Sequence, residues 1–306
     1  MQKINYNPNI NSTEELIKKF NLNSKAVKKK ELNFLNKNGY LIIKRNRYLL
    51  NNLKLFRTEL DKLINKEGIK GGWEGKKIFY RKGKLFEPGS QRLGNLIEKN
   101  IIFSNLIMIP EIIMCAKEVI KDDIKVCGLN FREPKKGSGY QKIHIDWKPR
   151  KEKSKKFAGI VAMIFFDSAN SRNGVTRLIP KTHLKKDWPE KYIDVNLKNK
   201  KEISPKINSA DILILNLNLW HAGSNNLSGK RRRMVMLNIK RRTLPQLLNY
   251  QKFLSSSTKK KLNNAQKYLL AIRNNDKIQK FDSIGVGKYY KKDFQLNSIL
   301  HKRVKL

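Results

Sequence analysis

Cysteine, histidine and acid are all scarce in this chain of 306 residues: it has two Cys, four His and 25 Asp plus Glu. Cys115 and Cys127 form no C-x-x-C motif and no disulfide framework, so a reducing, cytoplasmic setting is expected. Long apolar runs are missing too. The most hydrophobic stretch, residues 101–115, is broken by Ser104, Asn105, Pro110 and Glu111, too short and too polar to span a bilayer. No apolar segment of the kind found in secretory leaders follows Met1, so neither export nor membrane insertion is expected. Against the few acids stand 67 Lys plus Arg, a formal charge of +42. Such a field attracts nucleic acid, anionic lipid, or phosphorylated and carboxylated small molecules. Lys, Asn and Ile are abundant throughout, however, and the lysines are spread rather than gathered into one helix or arm. That spread favours a compositional origin for much of the charge.

What is present divides into three zones. Ser12-Thr13-Glu14-Glu15 offers a capping residue and acids for a helix start. Residues 28–38 carry Leu32, Phe34 and Leu35 at helical spacing, Asn38-Gly39 ends the pattern, and Tyr40 to Ile43 reads as a short strand. An amphipathic helix is predicted over 48–65, with Leu53, Phe56, Leu60 and Leu63 inward, then a loop-rich region over 68–89 and helix again over 91–121, interrupted near Pro110. From Ile124 to Ile239 the character changes to short apolar runs between polar turns. They cover residues 125–132, 141–147, 158–167, 177–180, 212–217 and 233–239, the pattern of an all-β sandwich or barrel. Residues 246–306 form a basic, mostly helical C-terminal extension to a single domain over 1–245, with 259–273 its clearest helix.

The chemistry concentrates in the middle zone. His144-Ile145-Asp146 places two ligand types one residue apart, and on a strand such residues share a face. His221 follows the apolar run 212–217. Two imidazoles and one carboxylate are the facial triad of non-haem Fe(II) sites, which leaves positions open for oxygen chemistry. His183, in Pro180-Lys181-Thr182-His183, reads as a turn or lid residue, and His301 has no partner pattern. A keto-acid cosubstrate would bring a distal carboxylate, which a guanidinium binds bidentately. Lys230-Arg231-Arg232-Arg233 supplies three arginines. Alternation sets Arg232 with Met234 and Met236 opposite Arg231, Arg233, Val235 and Leu237, and periodicity does not say which side faces inward.

These motifs resemble those of the phytanoyl-CoA dioxygenase family of Fe(II)/2-oxoglutarate oxygenases. The resemblance runs through His144-Ile145-Asp146, Asn173-Gly174, Pro180-Lys181-Thr182-His183, Ala210-Asp211, and His221 with Asn226 and Arg232. It covers roughly residues 32–242. Departures are Lys181-Thr182 for the usual Gly-Ser, and Ala210 and Ala222 for Gly; none removes a ligand. The resemblance implies a mainly β chain with flanking α, a double-stranded β-helix (jelly roll, cupin-like) buttressed by N-terminal helices. It implies Fe(II) on His144, Asp146 and His221, and 2-oxoglutarate on Arg232, with Asn130 and Arg132 as weaker candidates for that cosubstrate. Dioxygen would be consumed in hydroxylating a small, anionic substrate, with release of succinate and CO2. Asp146 disfavours halogenation, which needs that ligand position vacant. The basic loop 148–156, with six bases and one acid, suits an anionic substrate if it flanks the pocket. Trp147, Trp188 and Trp220 are expected to fill the barrel. Alternative readings are an oxygenase acting on nucleic acid and a non-catalytic basic barrel.

Overall fold

The computed structural model describes residues 10–22, 26–71, 80–81, 84–85, 89–149 and 156–272. Four helices precede the barrel: α1 (Thr13–Lys19), α2 (Lys29–Asn38), α3 (Arg47–Glu67) and α4 (Leu96–Lys99). A fifth, α5 (Pro110–Ile120), follows a 3-10 segment at Ile101–Met108. The Ser12 hydroxyl accepts the Glu15 N–H and caps α1. Helix α3 buries Leu49, Phe56, Leu60 and Leu63, one stripe at helical spacing, while Leu53 is only partly covered.

The strands are β1 (Tyr40–Ile43), a short pair β2 (Tyr80–Arg81) and β3 (Lys84–Leu85), β4 (Ser90–Leu93), β5 (Ile124–Pro134), β6 (Gly159–Phe165), β7 (Thr176–Leu178), β8 (Ile212–Asn216), β9 (His221–Gly223) and β10 (Met234–Arg241). Six of them form one antiparallel sheet in the order β1-β8-β6-β10-β5-β4. A smaller layer is built on β7 and β9. It is widened by single bridges at His144–His221, Leu178–Ile203 and Asn173–Asn226.

Sheet against sheet is the jelly-roll arrangement, and it explains why the strand runs are continuous rather than alternating. Val161, Met163, Phe165, Leu213, Leu215 and Met234 of the large sheet meet Val175, Leu178 and Leu219 of the small one. The other face of the same strands carries Ile160, Ala162, Ile164, Ile212, Ile214, Val235 and Leu237 against Phe56, Leu60, Ile112 and Ala116 of the helices. Both faces are dry, so both demand apolar side chains.

Some expectations need correction. Residues 90–93, expected to begin a helix from Gln91, form edge strand β4, with Gln91 opposite Glu133 and Arg92 opposite Arg132. Pairing with β5 overrides local propensity there. Residues 141–147, expected as a strand, make one bridge at His144 instead of a ladder. The helix expected over 259–273 is broken: α7 (Ser256–Lys261) stops before Asn263, which caps α8 (Asn264–Leu269), and Arg273 lies outside the described residues. These helices and α6 (Tyr250–Phe253) bury Tyr250, Leu254, Leu262, Tyr268 and Leu269 in the main core. The Gln246 amide donates to the carbonyls of Val126 and Leu270, tying this segment to β5. Most of the basic loop, residues 150–155, lies outside the described residues, as does His301.

Candidate metal centre

His144, Asp146 and His221 converge: one donor atom from each lies within 4.8 Å of the other two. His144 Nε2 is 3.8 Å from Asp146 Oδ1, and His221 Nε2 is 3.6 Å from Asp146 Oδ2. The backbone forces this meeting. The His144 and His221 N–H groups each donate to the other's carbonyl, at 3.0 and 3.1 Å, and the Asp146 N–H donates to Leu217 O at 2.9 Å. These three bonds hold the H-x-D segment against β9 although it forms no ladder.

The tautomers are set locally. His144 Nδ1 lies 2.9 Å from Lys142 O, and His221 Nδ1 lies 2.9 Å from Leu219 O. A carbonyl only accepts, so each Nδ1 must donate, and each Nε2 presents its lone pair to the centre. Burial, with the nearby His221 ring, pushes the His144 imidazole below its usual value; Asp146 and the Lys142 carbonyl oppose this. Two imidazole nitrogens and a carboxylate oxygen suit a first-row divalent metal such as Fe(II). His221 is buried, whereas Asp146 is exposed on one side, which gives the centre an approach from solvent.

A cavity of about 170 Å³ adjoins the triad, its wall including Arg92, Arg132, Gln141, Thr176, Arg232 and Met236. Arg232 settles the ambiguity left by alternation. Arg231 and Arg233 face outward into a carboxylate cluster. Arg231 grips Glu133 with Nε and Nη2, both at 2.8 Å, and Arg233 grips Asp167 at 2.8 and 2.9 Å and Asp61 at 2.7 Å. Arg232 points the other way, is buried, and makes no ion pair among the described residues. Its Nε has no hydrogen-bond partner, and its Nη1 meets only the Met234 sulfur at 3.4 Å. Burial, and then the charge of Arg132, pushes this guanidinium down to about 9, still cationic at neutral pH.

Arg132 also reaches the cavity wall, bonded to Gln141 Oε1 at 2.8 Å, while Asn130 sits opposite Met236 and is not part of that wall. Arg92, Gln141 and Thr176 are wall residues that the sequence did not single out. Gln141 Oε1 accepts from both Arg132 and the Gly223 N–H, linking the two sheets at the site. Its nearness to His144 was the one available signal.

His183 stands apart from the metal centre. It is buried, with Nε2 3.0 Å from Asn36 O, in a 3-10 turn that packs under Gly39. Asn226 braces the loop leading to Arg232: its amide donates to Pro134 O and Lys230 O, and its oxygen accepts from the Gly229 N–H. Trp220 is buried and Trp147 partly packed, but Trp188 is 47% exposed and fills no core. No helix among the described residues is long and apolar enough to cross a membrane.

Comparison with known proteins agrees with this geometry. The family model described as phytanoyl-CoA dioxygenase matches residues 35–234. No curated protein matches the chain in sequence. Among solved structures, the chain is similar to HygX from Streptomyces hygroscopicus with nickel and 2-oxoglutarate bound. That match has a TM-score of 0.57 at 14% identity, over 72% of this chain and 89% of the other. It is also similar to SnoK, a non-haem α-ketoglutarate-dependent carbocyclase from nogalamycin biosynthesis (TM-score 0.54, 15% identity, 72% and 86% covered). The epimerase SnoN from the same biosynthesis matches at a TM-score of 0.54 and 12% identity, with 70% and 83% covered. At these identities the structures share the fold. The matched segment contains all three converging donors and Arg232, and the chain belongs to the phytanoyl-CoA dioxygenase family of iron- and 2-oxoglutarate-dependent oxygenases.

Proposed function

We propose that this oxygenase hydroxylates a small, anionic organic molecule, with His144, Asp146 and His221 holding Fe(II) and Arg232 holding the far carboxylate of 2-oxoglutarate. The observation that carries this is the Arg232 guanidinium: buried, cationic, without an ion pair among the described residues, and on the wall of the cavity that the triad closes. A buried cation is costly unless paired, and a dicarboxylate supplies the pair. When bound, ferrous iron with its cosubstrate supplies the oxidising chemistry, in which R–H, O2 and 2-oxoglutarate give R–OH, succinate and CO2.

The protein's own part is placement. Lys142 O and Leu219 O hold the two imidazoles in the ligating tautomer. Met163, Met234 and Met236 line the cavity with apolar groups and restrict water around the reacting C–H. Asp146 keeps an anionic oxygen in the ligand set, which supports hydroxylation over halogenation. Arg132 and Arg92 add guanidinium groups to the same wall, where Asp146 is the one carboxylate among the described residues. That balance, with the +42 charge of the chain, supports an anionic substrate.

The test is a screen of carboxylated and phosphorylated metabolites with Fe(II), ascorbate, 2-oxoglutarate and 18O2. The expected result is succinate formation coupled to a product that gains one labelled oxygen atom, both lost in His144→Ala. Turnover of 2-oxoglutarate with neutral substrates only, or with a product that gains no oxygen, would refute the proposal.

A further inference from the structure

A second concavity lies on the outer face of the small sheet, away from the metal. Its volume is about 760 Å³, within the range of ligand-binding clefts. Four lysines line it (Lys181, Lys185, Lys200 and Lys201), and no acidic residue does among the described residues. Its aromatic part is Trp220 beneath Tyr192, with ring centroids 5.4 Å apart and planes tilted by 43°. Lys185 Nζ stands 4.9 Å from the Tyr192 centroid.

The base of this cleft is fixed. The Trp220 N–H donates to Thr182 Oγ1 at 3.0 Å, and Trp220 O accepts from the Ile179 N–H at 3.0 Å. Trp220 is buried, whereas Tyr192 is 45% exposed at the rim of the cleft. The surrounding segment is unusual for a surface. Leu184, Trp188, Tyr192 and Leu197 are exposed between Lys181 and Lys200, and Ile203 is exposed just beyond Lys201. Lysines that look scattered in sequence are gathered by the fold around a stacking surface.

Cations at several points around an exposed ring are the chemistry that reads a nucleotide: base on the aromatic face, phosphates on the ammonium groups. We propose that this cleft binds a nucleotide unit, with Tyr192 stacking the base and Lys181, Lys185, Lys200 and Lys201 holding phosphate. The concave shape favours this over a flat anionic membrane, which a convex rim would suit better. The site is distinct from the iron centre, though the two share a strand segment: Trp220 faces the cleft and its neighbour His221 faces the metal.

The test is equilibrium binding to the full chain at two salt concentrations. The probes are fluorescein-labelled oligo(dT), ATP, inorganic phosphate, and phosphatidylserine vesicles. Saturable binding of ATP identifies a free nucleotide as the source; saturable binding of oligo(dT) alone identifies a strand; both support the proposal. The double variant Lys200→Glu/Lys201→Glu and Tyr192→Ala should each weaken binding at least tenfold, and Tyr192→Phe should retain it. The control Lys29→Glu/Lys30→Glu, an equal charge change on the exposed first turn of α2, should alter affinity less than twofold. All substituted side chains are exposed, so each variant should keep the wild-type melting temperature. Several results would overturn the proposal: equal loss in the control, competition by inorganic phosphate as effective as by ATP, or binding of vesicles but not nucleotides.

Discussion

Arg232 is a destabilising residue as long as no anion meets it. Burial pushes its guanidinium down to about 9, well below the usual arginine value, so the folded state disfavours the charge. For a base lowered in this way the penalty is complete below about pH 9 and eases as pH rises from there toward the usual arginine value. Arg232→Met should therefore make the apoprotein more stable at neutral pH, by about 1–4 kcal/mol, with an apolar side chain in the place of an unpaired buried cation. The same change should abolish the stabilisation that 2-oxoglutarate gives the iron-loaded wild type, on the order of 2.7 kcal/mol at a hundredfold excess over Kd. Calorimetry with and without cosubstrate checks both halves; an apoprotein variant less stable than wild type would contradict them. Of this site the three converging donors were legible, because H-x-D with a distant His is a sparse pattern in a chain with four histidines. Arg232 was not legible from alternation, since both faces of β10 are buried and the outward arginines are chosen by Asp61, Glu133 and Asp167, which lie far from β10 in sequence. Arg92 and Gln141 were hidden for a related reason: strand pairing with distant β5 brings Arg92 to the wall, and bonds to both sheets bring Gln141 there.

Among the elements, the α2–β1 junction controls how the helical layer meets the small sheet. Gly39 ends α2 at φ +81°, and a Cβ there would come within 2.5 Å of His183 Nδ1 and 2.8 Å of Leu219 Cδ1. Left-handed strain and the clash act together, so Gly39→Ala should cost about 2–4 kcal/mol in urea unfolding. A variant within 0.5 kcal/mol or so of wild type would show that His183 moves aside freely. The packing of α5 on strand β5 can be probed through one thiol on each, Cys115 and Cys127. Burial pushes Cys115 up to about 12, aided by the negative charge of Glu111, and burial also raises Cys127. Neither thiol should react with a disulfide reagent in the native protein at neutral pH, and both should react in denaturant. Fast native labelling of either would mean that the layer opens. Glycine and capping signals made α1, α2, β1 and α3 readable to within a few residues, because their cues are local. The edge strand β4 and the bridge at His144 were not readable, because their backbone partners are distant in sequence.

At the scale of the whole molecule, the described segment after the barrel, residues 246–272, is part of the core. Tyr250, Leu254, Leu262, Tyr268 and Leu269 are buried with the helices and β5, and Arg242 Nη1 donates to Tyr268 O at 2.9 Å. Each such side chain contributes about 1.5–3 kcal/mol of burial, so together they rival the net stability of a domain. A chain ending at Pro245 should be insoluble or unfolded by circular dichroism; a soluble truncation melting like the full chain would contradict this packing. The basic, polar composition of this segment concealed its role, since its few apolar residues are interleaved with lysine. The central claim, three donors around one ferrous ion with Arg232 positioned for 2-oxoglutarate, is tested most directly by anaerobic titration with Fe(II) and 2-oxoglutarate, followed by the visible charge-transfer band of their chelate. The account predicts one band per chain, absent in His221→Ala and needing far more cosubstrate in Arg232→Met. A band of equal strength in His221→Ala, or no band in the wild type, would contradict it.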